Sequence, residues 1–84
     1  LEGLTSALAP ATTLARIQEV WERAAGQQVA AAGLPTAERD GVLTVICSDA
    51  VWAAELDLMG VELVGRLNLL LGETLVQRLR CRAG

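Results

Sequence analysis

The chain has 84 residues, with seven Arg, no Lys, ten acidic residues and a formal charge of −3. Half of it is apolar and a fifth is charged, a globular composition with room for one domain and one core. The absence of His, Tyr and Phe excludes His-based catalysis, a His-ligated metal and a Phe/Tyr base-stacking platform, and the acidic balance excludes a uniformly basic nucleic-acid binder.

Residues 1–11 are small and weakly patterned up to Pro10, and are expected to form a weakly ordered N-terminal segment before a single domain spanning 12–84. Thr12 or Thr13 can cap a helix. From there Leu14, Ile17, Trp21, Ala24, Ala25 and Gln28 share one face, predicting a helix over about Thr13–Ala31 that tolerates Gly26 and ends at Gly33 and Pro35. Trp21 is expected in the core. Arg39-Asp40-Gly41-Val42 reads as a hairpin turn, with a short first arm near Thr36–Glu38. Val42–Cys47 is the second arm, with Leu43, Val45 and Cys47 on one face and Val42, Thr44 and Ile46 on the other.

Ser48 or Asp49 caps the next helix, which runs to Met59 and breaks at Gly60. That helix has two apolar flanks. Val51, Ala54 and Leu58 form one; Trp52, Leu56 and Met59 form the other. The second flank either packs on the following helix or is exposed as a partner site, with Trp52 and Leu56 as its candidate contacts. A third helix carries Leu63, Val64, Leu67, Leu70 and Leu71 on one stripe, with Glu62, Arg66 and Asn68 opposite, and Gly72 at its end. The tail then alternates: Leu75, Gln77, Leu79 and Cys81 against Val76, Arg78, Arg80 and Arg82.

Helix, strand, strand, helix, helix, strand predicts an α+β two-layer sandwich with a three-stranded sheet. This order equals that of the type II KH fold (α-β-β-α-α-β). A KH domain grips nucleic acid with a Gly-x-x-Gly loop between its adjacent helices. The corresponding stretch here, Asp57-Leu58-Met59-Gly60-Val61-Glu62, has one glycine and two acids, so grip at that loop is not expected.

No catalytic residues, cofactor or metal site are expected. No phosphate-cradling glycine motif is present, and Ser48-Asp49 has no His to complete a triad. Cys47 and Cys81 read as reduced core thiols of a cytoplasmic protein. No apolar run approaches membrane-spanning length. The start at Leu1 suggests an excised domain. The sharpest electrostatic feature is the row Arg78, Arg80, Arg82 in a segment without acids, whereas residues 1–74 carry −6. Such a row can track a phosphate backbone, or it can be the solvated face of an edge strand.

Several blocks resemble one family in order and spacing: Val20-Trp21, Gly26, Pro35, Asp40-Gly41-Val42-Leu43-Thr44-Val45, Ser48, Trp52-Ala53-Ala54-Glu55-Leu56, Leu67-Asn68, Gly72 and Arg78-Leu79-Arg80. That family is the bacterial DciA-like domain. The resemblance implies a KH-like fold and a non-enzymatic role at the start of chromosome replication. It implies a DnaB-type replicative helicase as partner, help in loading that helicase, and weak, sequence-independent DNA binding. The other readings are a KH-like nucleic-acid module without helicase contact, and a structural or dimerising domain.

Overall fold

A computed structural model describes residues 12–84; the N-terminal segment 1–11 lies outside the described residues. Seven elements follow in order: α1 (Thr13–Ala25), α2 (Gln27–Ala32), β1 (Gly33–Arg39), β2 (Val42–Cys47), α3 (Ala50–Leu58), α4 (Gly60–Leu71) and β3 (Arg78–Ala83). The helices cover one face of a mixed three-stranded sheet of order β1-β2-β3, antiparallel between β1 and β2 and parallel between β2 and β3. This is the α+β architecture the element order predicts. Among the described residues, no helix is long and apolar enough to cross a membrane.

The first helix departs from expectation. Gly26 adopts φ +94° and ψ 159°, a conformation that essentially only glycine reaches, and it divides the predicted helix into α1 and α2. The break turns the short α2 so that Val29 joins the same core as Ile17, Trp21 and Ala24 of α1. The Thr12 hydroxyl caps α1 by accepting from the Ala15 N–H at 3.0 Å. Trp21 is 3% exposed, and its indole N–H donates to the Gly33 carbonyl at 2.8 Å, so the ring is buried without an orphaned donor.

β1 is longer than the sequence suggests. It begins at Gly33, passes through Pro35, and carries a bulge between Pro35 and Ala37. Proline is tolerated because β1 is an edge strand and that N–H is not needed for the ladder. The turn after it has positive φ at both Asp40 (52°) and Gly41 (85°), the pattern of a two-residue hairpin whose twist suits the strands. In β2 the expected alternation holds: Leu43, Val45 and Cys47 are buried, and Val42, Thr44 and Ile46 lie half-buried on the opposite face.

The Asp49 carboxylate caps α3 by accepting from the Trp52 N–H at 2.9 Å. Only Met59 separates α3 from α4, so the corner has no length for a Gly-x-x-Gly clamp. On α4, Leu63, Leu67 and Leu71 enter the core, while Leu70 is more exposed than its predicted stripe position implies. Gly72 closes α4 in the left-handed conformation expected of it.

The tail corrects the predicted strand. Val76, placed by alternation with the arginines, is fully buried, and the ladder begins only at Arg78. The cause is Asn68. Its side-chain oxygen accepts from the Leu75 and Val76 N–H groups at 3.0 and 2.9 Å, and its amide donates to the Val76 carbonyl at 2.8 Å. Predicted as a surface residue of α4, Asn68 instead clamps the connection into a non-strand path that drives Val76 inward.

Candidate nucleic-acid interface

Among the described residues, no helix lies over one face of the sheet. The register aligns Val42 with Arg78, Thr44 with Arg80 and Ile46 with Arg82. Residues directly opposite in a ladder share a face, so Arg78, Arg80 and Arg82 form one column beside a column of Val42, Thr44 and Ile46. All three arginines are exposed, while Leu79 and Cys81 turn toward the helices and are half-buried. The predicted row is therefore brought together on one surface.

The start of β3 is fixed by the hairpin turn. The Gly41 carbonyl accepts from Gln77 N–H at 2.7 Å and from Arg78 N–H at 3.2 Å. A Cβ on Gly41 would stand 2.9 Å from Gln77 Cγ, so glycine is required here for contact as well as for its positive φ.

The structure adds a residue that sequence reading assigned only to the turn. Arg39 pairs with Val42 across the hairpin and so projects onto the open face. With Ala37, Asp40, Val42, Thr44, Arg78 and Arg80 it lines a shallow cavity of about 430 Å³. The signal was present: in a hairpin with a two-residue turn, the residues flanking that turn face each other. Among the described residues, no carboxylate is in ion-pair contact with Arg39, Arg78, Arg80 or Arg82. Two other arginines are engaged internally. Arg16 bonds Glu73 at 2.9 Å and the Leu71 carbonyl at 3.0 Å, tying α1 to the end of α4, and Arg66 bonds Glu62 at 2.8 Å. The helical layer and its caps and connections carry most of the acids: Glu19, Glu22, Asp49, Glu55, Asp57, Glu62 and Glu73. The molecule is polarised, with a basic sheet face and an acidic helical side.

The candidate partner residues separate. Trp52 is half-buried and lines a notch of about 440 Å³ with Gln28, Ala31, Ala32 and Ser48, between α2 and α3. Leu56 is 0% exposed, which corrects its expected place beside Trp52 as a surface contact. The Trp52-Leu56-Met59 flank packs inward, and the opposite flank, Val51 and Leu58, is the one left in solvent. Leu56 packs closely over Gly33, with only 3.1 Å between Leu56 Cδ1 and the point where a Cβ would stand.

Both cysteines are free thiols. Burial raises the Cys47 thiol above its usual range, with Asp57 and Asp49 adding to the shift. Cys81 is pushed up to about 12 by burial first, then by the nearby Asp57 carboxylate. Neither is a poised nucleophile.

Geometry thus defines a small α+β domain with an arginine-bearing open sheet face and a tryptophan notch on its helical side. Over residues 1–81 the chain matches the family described as Dna[CI] antecedent, DciA, and it belongs to that family. It is 35% identical over 60 residues to a UPF0232 protein of Mycobacterium tuberculosis (strain ATCC 25618 / H37Rv), covering 71% of this chain and 32% of that protein. A UPF0232 protein of Rhodococcus jostii (strain RHA1) is 32% identical over 60 residues, with the same coverage. The aligned region spans about a third of the length of these curated relatives.

Proposed function

We propose that this domain is a non-enzymatic adaptor of bacterial replication initiation, acting in the cytoplasm. It contacts the DnaB-type replicative helicase, assists its loading, and holds DNA weakly and without sequence preference. Membership of the DciA family supports the helicase role. The observation that carries the DNA reading is the column Arg78, Arg80, Arg82 on a helix-free face with no carboxylate paired to it among the described residues. Arginine suits the task because its planar fork meets phosphate oxygens in pairs. Trp52 in its notch is the proposed helicase contact, because an aromatic ring partly open to solvent beside small side chains gives a partner both area and a pocket.

Two measurements test this. Titration of purified DnaB-type helicase gives saturable binding that Trp52→Ala weakens more than it lowers the melting temperature; no binding to the helicase sinks the adaptor reading. Fluorescence anisotropy with labelled single-stranded DNA gives weak binding whose log–log salt slope is about −2, from three phosphate contacts at about 0.7 each. Replacing Arg78, Arg80 and Arg82 together by Gln abolishes that binding and leaves helicase affinity intact. Unchanged DNA affinity in the triple variant at low salt reduces the column to a solvated strand face.

A further inference from the structure

The sheet has two outer edges, and the fold treats them differently. On β1 the carbonyls of Gly33 and Pro35 accept from Trp21 Nε1 at 2.8 Å and Gln18 Nε2 at 3.1 Å. Pro35 has no N–H to offer, and the bulge breaks the repeat. These are the devices that stop an edge from pairing with another strand. On β3 the pattern is reversed. Arg78 N–H donates to the Gly41 carbonyl and Gly84 N–H to the Cys47 carbonyl, so the even-numbered residues turn their backbone groups toward β2. Strand alternation then turns the N–H and C=O groups of Leu79, Cys81 and Ala83 outward. Among the described residues nothing bonds to them, and β3 ends the sheet.

Side-chain chemistry says what would pair there. A strand laid against β3 places alternate side chains beside Arg80 and Arg82 on the open face, where acidic residues are favoured. Its other side chains fall beneath the α3–α4 corner. A cavity of about 250 Å³ lies there, lined in part by Val61, Val64 and Leu79, and the large apolar residues Leu58 and Val61 of that corner are 84% and 92% exposed. Neither the DNA-binding face nor the Trp52 notch uses these two residues. A second copy of β3 in antiparallel pairing would set arginine against arginine, so the chain itself is a poor occupant. We infer that the outer edge of β3 takes up an extended partner segment of alternating acidic and apolar residues as a fourth strand.

The test uses the purified chain and a short labelled peptide alternating Glu and Val, followed by anisotropy at low salt without helicase or DNA. Two N-methylated versions carry the same charge and composition. In one the methyl groups replace the amide hydrogens that would face β3; in the other they replace those facing away. The first set weakens binding about tenfold or more, through two lost ladder bonds, and the second set is tolerated. The peptide with Lys for Glu does not bind, and the double variant Arg80→Glu/Arg82→Glu reverses that preference. Equal effects of the two methylated sets, binding of the Lys peptide to the unaltered chain, or no binding of the Glu peptide at millimolar concentration overturns the inference. Because two of these readouts alter only the peptide, they stand even if the double variant does not fold.

Discussion

Asn68→Ala isolates the device that positions the arginine column. The substitution removes three hydrogen bonds at once, two accepted from Leu75 and Val76 and one donated to the Val76 carbonyl. A fully buried, unsatisfied group costs about 1–3 kcal/mol, and these are part-buried, so water recovers some of the loss. A net destabilisation of about 2–3 kcal/mol follows. For a domain of this size, each kcal/mol lowers the melting temperature by about 4–8 °C, so the expected fall is roughly 10–20 °C by circular dichroism. Asn68→Asp separates the parts. It keeps the acceptor for both N–H groups but sets a carboxylate against the Val76 carbonyl, and it falls between wild type and the alanine variant. Below its melting point, the alanine variant also binds DNA more weakly, because the chain entering β3 is no longer held. An alanine variant melting within a few degrees of wild type would refute the clamp.

Trp21→Ala removes the largest core side chain and a satisfied indole, and costs about 3–5 kcal/mol; a melting curve close to wild type would show that the site collapses around the loss. Gly41→Ala forces a non-glycine residue to φ 85° and brings a Cβ within 2.9 Å of Gln77 Cγ, so it destabilises by about 1–2 kcal/mol, checked by urea denaturation. The Cys81 thiol is raised from 9.0 to about 12 in the fold. The folded state therefore holds this proton more tightly than the unfolded chain, and the stabilisation is complete below pH 9 and lost as pH rises toward 12. Cys81→Ala flattens the part of the alkaline stability profile due to this thiol, and identical profiles for the two proteins would contradict the shift.

Elements with a strong period and a clean punctuating residue were legible in the chain. β2 and the stripe of Leu63, Leu67 and Leu71 show their faces directly, and Asp40-Gly41 writes its turn into two residues. The misses share one cause: a tertiary contact decides what local pattern leaves open. Gly26 carries a moderate penalty of about 1 kcal/mol inside a helix pattern, which local sequence alone leaves tolerable, and the break there lets Val29 join the core. Val76 follows the arginine alternation in sequence, but Asn68 holds it in a different path. On α3 both flanks are apolar, so periodicity alone does not choose between Leu56 and Leu58. The packing of Leu56 into the core, close over Gly33, makes the choice. The arginine column was legible because three charges at spacing two cannot all enter a core.

Arg39 gives the open face a second dimension, and that has a measurable consequence. Steps of two residues along β3 are about 6.6 Å, so Arg78 to Arg82 spans about 13 Å in a line. Arg39 lies off this line, across β2, at two strand spacings or about 9.6 Å from Arg78. A single strand following β3 meets the column and passes Arg39 by. A duplex presents two backbones, and one can lie along the column while the other lies toward Arg39. Each contact to duplex contributes about 0.9 to the log–log salt slope. Arg39→Gln is therefore expected to lower the duplex slope by about one contact and to leave the single-strand slope unchanged, both read by anisotropy titration across a salt series. Core packing does not depend on this exposed side chain, so the melting temperature stays put. Equal loss of slope for single and double strands would mean that the four arginines act as one diffuse field rather than as a column with a flanking fourth charge.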